Sequence, residues 1–197
     1  QFVSDTLSRG YDEPTATQIW NSIEEVVAGG YGFNRAHSTS YAKLSYQTAY
    51  LKYYYPAAFY TACLTANQGE AETLNKIREL VEKAGISLVT PDINIGSNNF
   101  TIHGNEIMFA LTAINGVGES AYKSIVNMRP IKSFDDFMKR RIPKDVKSNT
   151  VIALIKAGAF DFDTTDRNQL MFEMTGEKYK TPNYVYEKEC FGFYITK

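Results

Sequence analysis

The chain has few of the residues that build most nucleophile and metal sites: two cysteines and two histidines among 197 residues. Cys63 and Cys190 lie far apart, and both have apolar or aromatic neighbours. We therefore expect two buried free thiols, as in a reducing cytoplasm. With so few histidines and cysteines, no set of nucleophile, base and orienting group is recognisable, and we expect no cofactor in this chain.

Neither sign of charge dominates the chain, and long hydrophobic runs are absent from the sequence. The formal net charge is −1, so any contact with nucleic acid must be local, made by a patch of side chains or by backbone amides. No apolar segment approaches the roughly 18 residues needed to span a bilayer, and no signal-peptide pattern opens the sequence. We expect a cytoplasmic protein without a membrane partner. Because it begins at Gln1 without Met, we expect a fragment or a processed piece.

The sequence is instead rich in helical patterning and aromatic residues, with 14 Tyr and 12 Phe. This predicts a mainly α-helical fold. A small β-hairpin is expected around Gly104, between the alternating segments 100–102 and 106–109. The stretch from Gly176 to Tyr186 resembles a linker. Apolar spacing, caps and prolines predict helices over residues 13–27, about 38–54, 56–66, 70–83, 149–157 and 166–175, and another from Ser133 to before Pro143.

A Gly-hydrophobic-Gly turn at Gly116, Val117 and Gly118 follows Leu111 and Ile114 and fits a helix-hairpin-helix pattern. The glycines permit positive φ and remove side chains that would keep a phosphate away. Val117 is expected to pack between the two helices. The second helix begins near Gly118, so its unpaired N–H groups suit a DNA phosphate. Ser120 and Lys123 could add a hydroxyl and a charge. The alternative is an ordinary connection between two helices.

A second, weaker hairpin is predicted around Gly158, with Phe160 filling the turn and a new helix starting at Asp166. Because this turn has one glycine, structural packing is the alternative to DNA binding. The chain's densest basic cluster lies between the two turns; a solvated helix face is its alternative. The basic cluster consists of Lys139, Arg140, Arg141, Lys144 and Lys147. Outside the first hairpin, the residues that we expect to bind DNA are Arg140, Arg141, Lys144, Lys156 and Gly158.

Three sequence blocks carry a family resemblance. The first comprises 31–37, 45–52 and 55–59, the second is Ile114–Glu119, and the third is Ala153–Asp161. Together they resemble the C-family replicative DNA polymerases, the alpha subunit of DNA polymerase III. The resemblance implies the C-terminal part of a fingers domain at 1–85, a duplex-binding tandem helix-hairpin-helix domain at 86–176, and a tail at 177–197 leading to a following region. The departures from the family pattern indicate a divergent member; they are Ala36, Thr39, Ser40 and Lys43.

In the resembled family, the glycine-rich turn containing Asn34, Arg35 and His37 lies near the incoming nucleotide. Arginine offers a planar fork for phosphate, and histidine a donor with a tunable charge. We therefore expect Arg35 and His37 to face the nucleotide phosphates and Asn34 to hold the turn. The alternative is that His37 caps or packs at the helix start. Tyr41, Tyr46 and Gln47 are expected to be packing residues.

The resemblance implies part of a DNA-directed DNA polymerase that binds primer-template duplex without sequence specificity and helps to form the nucleotide site. Its partners would be primer-template DNA, the incoming deoxynucleotide and possible further replication proteins. The family's Mg²⁺-binding carboxylates lie in the palm, upstream of the segment present here. Asp161 and Asp163, explained by capping, offer the one Asp-x-Asp spacing, so we expect no catalytic metal site and no activity of the chain alone. The alternatives are a stand-alone, non-catalytic helix-hairpin-helix DNA-binding protein and a purely structural fragment.

Overall fold

A computed structural model describes residues 1–30 and 35–195 and confirms the mainly α-helical class. The strands are short, three residues each. In chain order the described elements are α1 (Phe2–Ser8), α2 (Glu13–Ala28), α3 (Arg35–Tyr54), α4 (Pro56–Ala66), α5 (Ala71–Lys83), β1 (Ser87–Val89), β2 (Thr101–His103), β3 (Glu106–Met108), a 3-10 turn (Leu111–Ala113), α6 (Glu119–Met128), α7 (Phe134–Arg140), α8 (Ser148–Ala157), α9 (Arg167–Thr175) and α10 (Asn183–Phe191).

Side-chain caps mark the starts of α2 and α7. The Asp12 carboxylate accepts the Thr15 N–H at 2.9 Å, with Pro14 in the first turn of α2. The Ser133 hydroxyl accepts the Asp136 N–H at 3.1 Å and confirms the predicted start of α7. The prediction that Ser38 or Thr39 caps α3 is wrong, because the Ser38 hydroxyl donates to the Arg35 carbonyl inside a helix that has already begun.

The chain divides into two compact units, residues 1–50 and the remainder from residue 51. In the first unit α1 packs on α2, with the rings of Phe2 and Trp20 centred 5.5 Å apart. The second unit holds the large hydrophobic core. The domain boundary near residue 85 stays a prediction.

The small sheet places β3 between its two neighbours. β2 pairs with β3 antiparallel, and the intervening Gly104 has a φ of +63°, so the predicted hairpin is confirmed. β1 pairs with β3 in parallel, with Leu88 opposite Ile107. That pairing was not predicted, because parallel strands are joined by a long connection that leaves no short turn signal.

The C-terminal part of the chain adds to the core of the second unit. From Asn183 onward the linker prediction is wrong, because α10 packs against α8 and buries its Tyr186, Cys190 and Phe191. The Phe191 ring lies 4.2 Å from that of Phe109. Both cysteines are free: Cys63 is half-buried, and burial raises the pKa of the buried Cys190 thiol to about 12.

Across the described ranges, no helix is both long and apolar enough to cross a membrane.

Candidate nucleic-acid interface

The first hairpin is a tight turn between the 3-10 turn and α6. Gly116 has a φ of +95°, which favours glycine, and the Val117 N–H donates to the Ile114 carbonyl at 3.0 Å. Leu111, Ile114 and Val117 are buried, as the sequence pattern predicted. The first of the two helices is shorter than expected, a single 3-10 turn.

Gly118 is exposed and forms the open side of this turn. Its φ of −85° and ψ of 170° are accessible to any residue, so the positive-φ argument holds for Gly116 and is wrong for Gly118. Among the described residues, no atom lies within 4 Å of the position that a Cβ on Gly118 would occupy. What glycine provides here is space beside the backbone.

The helix that follows presents its N-terminal amides next to that space. Gly118 is the N-cap of α6, and no side-chain cap is made there within the described chain. The first amides of a helix carry no intrahelical partner and attract anions. Ser120 and Lys123 are exposed on the same helix, and the Lys123 ammonium lies 3.5 Å from the Glu119 carboxylate.

The first hairpin is fixed to α8 of the second one. The Thr150 hydroxyl donates to the Gly116 carbonyl at 2.9 Å. A Cβ on Gly116 would lie 3.6 Å from the Ala153 Cβ, an ordinary contact. The two hairpins are therefore adjacent, and α8 supports the turn of the first.

The second hairpin has the predicted turn, but its interior is filled. Gly158 ends α8 with a φ of +84°, Phe160 is buried, and the Ala159 N–H donates to the Leu154 carbonyl at 3.0 Å. Gly158 is itself buried, and the guanidinium of Arg167 occupies the space where its side chain would be. The structure thus places Gly158 beneath the surface of the turn.

Arg167 belongs to a buried ion network that sequence reasoning missed. Its side chain is 1% exposed and pairs with Asp161 at 2.7 Å and with Glu187 of α10, itself fully buried, at 3.0 Å. It also donates to the Lys156 carbonyl at 3.0 Å. Burial alone would lower the pKa of the guanidinium, but the hydrogen bond and charge of Asp161, with those of Glu187, raise that pKa overall. The available sequence signal was Glu187 itself, a carboxylate between Tyr186 and Cys190 that needs a cationic partner if buried.

The basic residues assigned to DNA have different surroundings. Arg140 donates to the Pro130 carbonyl at 2.9 Å and the Asp136 carboxylate at 3.0 Å, and also contacts the Met128 carbonyl. Arg141 donates to the Val146 carbonyl at 3.1 Å. The Lys156 ammonium lies 2.6 Å from Glu189. Lys144 and Lys147 are exposed, whereas both arginines also hold the local fold together.

The residues predicted to bind the nucleotide lie at the start of α3. Arg35 and His37 are exposed there, and the His37 ring is 4.5 Å from the Tyr41 ring. Asn34 lies outside the described residues.

Asp161 and Asp163 do not fit a magnesium site. Asp161 is paired with Arg167, and the Asp163 carboxylate accepts the Phe134 N–H at 2.8 Å. In residues 1–30 and 35–195, no group of three or more His, Cys, Asp or Glu side chains could hold a metal ion. The local capping explanation was incomplete, because both carboxylates bind partners elsewhere in the fold.

Comparison with known proteins agrees with this geometry. A family model described as a helix-hairpin-helix motif matches residues 85–170. DNA polymerase III subunit alpha of Aquifex aeolicus is 34% identical over 100% of this chain and 19% of that protein. The subunits of Chlamydia pneumoniae and Thermus aquaticus are 35% and 36% identical over 87% and 82% of this chain, and 14% and 13% of their own length. The chain thus spans a fifth or less of these relatives, and the resemblance inferred from its sequence blocks is confirmed.

Proposed function

We propose that this relative of the DNA polymerase III alpha subunits binds primer-template duplex without sequence specificity, as part of a DNA-directed DNA polymerase in replication. The first hairpin supplies the principal contact, through the backbone amides at the start of α6. Contacts of this kind read the phosphate backbone and carry no base information.

One observation carries this proposal: the turn is open where α6 begins. Gly118 leaves space beside the helix start, and the amides there have no side-chain cap among the described residues. A phosphate can approach such a site closely and gain charge-assisted hydrogen bonds. Lys144 and Lys147 are exposed and add local positive charge to a chain with a net charge of −1, whereas the charge of Lys123 is shared with Glu119.

The second hairpin supports this contact from within the fold. Arg167 fills the turn of the second hairpin, and Gly158 is buried there. Helix α8 of this hairpin positions the first hairpin through the hydrogen bond from Thr150 to the Gly116 carbonyl. In this proposal Arg140, Arg141 and Lys156 line the DNA-facing side with side chains that are already anchored to carbonyls or carboxylates.

The nucleotide site forms the second part of the proposal. Arg35 and His37 face the phosphates of the incoming deoxynucleotide. Calorimetric titration of the chain bound to primer-template with a deoxynucleoside triphosphate tests this role. Arg35→Gln should abolish the binding heat, and an unchanged heat would remove Arg35 from the site.

Magnesium chemistry belongs to residues outside this chain. The engagement of Asp161 with Arg167 and of Asp163 with the Phe134 N–H supports this part of the proposal. We expect the chain alone to bind DNA and to incorporate no nucleotide. Incorporation by the purified chain in a primer-extension reaction containing Mg²⁺ would contradict this part of the proposal.

The decisive experiment uses Gly118→Val and fluorescence anisotropy of a labelled primer-template duplex. The backbone at Gly118 accepts valine, and its Cβ has room, so the fold should survive while the side chain blocks the phosphate. Loss of charge-assisted hydrogen bonds should weaken binding about tenfold or more. Binding by the unaltered chain should also weaken as salt is added. The slope of log K against log salt concentration should be about −0.9 for each phosphate that the chain neutralises.

The matched control is Ser87→Val, an exposed strand position where valine is favoured. It should bind like the unaltered chain. Equal binding by a folded Gly118→Val variant would mean that the glycines shape a turn and do not bind phosphate.

A further inference from the structure

One part of the chain has a charge distribution unlike the rest. Residues 26–69 contain no Asp or Glu, although the whole chain has 22 acidic residues. The same segment contains Arg35, Lys43 and Lys52. A chain with a net charge of −1 therefore carries a stretch whose only charged side chains are cationic, so the stretch itself does not repel a polyanion.

Helix α3 lies in this segment and is exposed along its length. None of its residues, Arg35–Tyr54, is buried. The expectation that Tyr46 is a packing residue is wrong, because its side chain is 71% exposed. Tyr50, one turn further on, is 45% exposed. Aromatic side chains exposed next to one another on a protein surface mark an interaction site.

Lys43, Tyr46 and Tyr50 share one face of the helix. They stand at positions i, i+3 and i+7, which lie above one another on a helical surface. The two tyrosines are about 6 Å apart along the axis, one helical turn. An ammonium group and two aromatic rings thus form a short stripe with no acidic residue in its sequence neighbourhood. We call these three residues the tyrosine stripe.

We propose that the tyrosine stripe binds single-stranded DNA, with the rings of Tyr46 and Tyr50 stacking on bases and Lys43 pairing with a phosphate. Cationic surfaces that also carry aromatic side chains are the general means of holding single strands without sequence preference. A duplex does not suit the stripe, because its bases are stacked inside and cannot reach the rings. The tyrosine stripe shares no residue with the first hairpin, and it adds an unpaired strand to the proposed function.

The test measures the anisotropy of labelled oligothymidylate and of a blunt duplex, titrated with the full chain at low salt. The double variant Tyr46→Leu, Tyr50→Leu removes both rings but keeps good helix formers. It should bind the single strand about tenfold or more weakly and the duplex unchanged, since each stacked base contributes substantially to affinity. For the single strand, Lys43→Gln should reduce the slope of log K against log salt concentration by about 0.7, because one phosphate contact is lost.

Two matched variants separate stacking from other effects. Tyr46→Phe with Tyr50→Phe keeps the rings and should retain binding. Tyr41→Leu removes a 59% exposed ring from the opposite side of α3 and should also retain binding. The proposal is overturned if the unaltered chain ignores oligothymidylate, as expected of a face covered by another protein segment. It is also overturned if Tyr41→Leu is as harmful as the double leucine variant.

The outcome is independent of the hairpin experiment. Gly118→Val should weaken duplex binding and leave single-strand binding intact, whereas the double leucine variant should do the reverse. Loss of single-strand binding alone would therefore implicate the tyrosine stripe, and loss of duplex binding alone would implicate the first hairpin.

Discussion

The two hairpins have similar glycine turns, but one turn is exposed and the other is buried. In the first, Gly118 is exposed, with open space beside the start of α6. In the second, Gly158 is buried, and the guanidinium of Arg167 fills the corresponding space. One turn is available to a ligand, and the other is occupied by the protein's own cation.

The difference shows that a glycine turn alone does not define an anion site. What matters is whether a side chain from elsewhere reaches the turn. In the second hairpin, Arg167 is fixed by Asp161 and by Glu187 of α10, so the C-terminal helix closes that turn. In the first, the neighbouring α8 contacts the turn from the side, through Thr150 and Ala153, and leaves the helix start accessible.

Among the variants that test this difference between the hairpins, Arg167→Met should change the free energy of unfolding most. The change removes the buried guanidinium that pairs with the fully buried Glu187, so the free energy of unfolding should fall by about 3–5 kcal/mol. Urea denaturation followed by circular dichroism measures it. Lys76→Met breaks the exposed pair with Glu72, and the free energy of unfolding should change little because solvent screens that pair. Equal losses for the two variants would show that the buried network does not stabilise the second hairpin.

A direct comparison of the turns uses Gly158→Ala and Gly116→Ala. Both glycines have positive φ, so each alanine should cost about 1–2 kcal/mol of unfolding free energy. Gly158→Ala should cost at least about 1 kcal/mol more, because its Cβ displaces Arg167 from Asp161. Thermal or urea unfolding provides the values. If Gly116→Ala is the more harmful change, the first turn is the more tightly packed, and the comparison is reversed.

The link between the hairpins is tested by Thr150→Val, which removes the hydrogen bond to the Gly116 carbonyl without changing the side-chain shape. We expect a loss of about 1 kcal/mol in unfolding free energy, measured by urea denaturation. The control is Thr61→Val, whose hydroxyl bonds a carbonyl one turn back in its own helix and should contribute little. Identical small losses would mean that α8 supports the first turn by packing alone.

The smallest effect should be a pH dependence at α7, which lies between the hairpins. The Lys132 N–H, at 3.0 Å, and the Arg140 guanidinium lower the pKa of Asp136 below its ordinary value of 3.8. A depressed carboxyl pKa contributes stability that is complete above 3.8 and lost as the pH falls through the folded-state value. Asp136→Asn should therefore lower the Tm slightly at neutral pH, and the difference should vanish in acid.

The control for this measurement is Asp135→Asn, which removes the exposed pair with Lys139 on the same helix. A Tm difference for Asp136→Asn that persists unchanged into strong acid would show that the carboxylate charge does not stabilise α7.

Local signals in the sequence predicted much of the fold. Pro56 and the apolar spacing after it placed α4 at its observed bounds, and Ser133 marked the start of α7. Gly104 marked the β-hairpin. These features depend on residues within a few positions of one another, where caps, prolines and positive φ act directly on the backbone. For the same reason the spacing of Leu111, Ile114 and Val117 predicted the buried side of the first hairpin.

The missed features depend on residues that are distant in the sequence. The parallel pairing of β1 with β3 and the packing of α10 on α8 required contacts across long connections. The exposure of Tyr46 was missed because the helical pattern of α3 does not say which face is covered. The early start of α3 was missed because Ser38 suits both a cap and a helix interior.

The sequence by itself determined the helical class, the two glycine turns and the relation to DNA polymerase III alpha subunits. The tertiary structure decided which of the two turns is open. Glycine sets what conformations a backbone can adopt, and this is a local property. Whether an anion can reach that backbone depends on long-range burial and ion pairing, here on an arginine held by a glutamate 20 residues further along the chain.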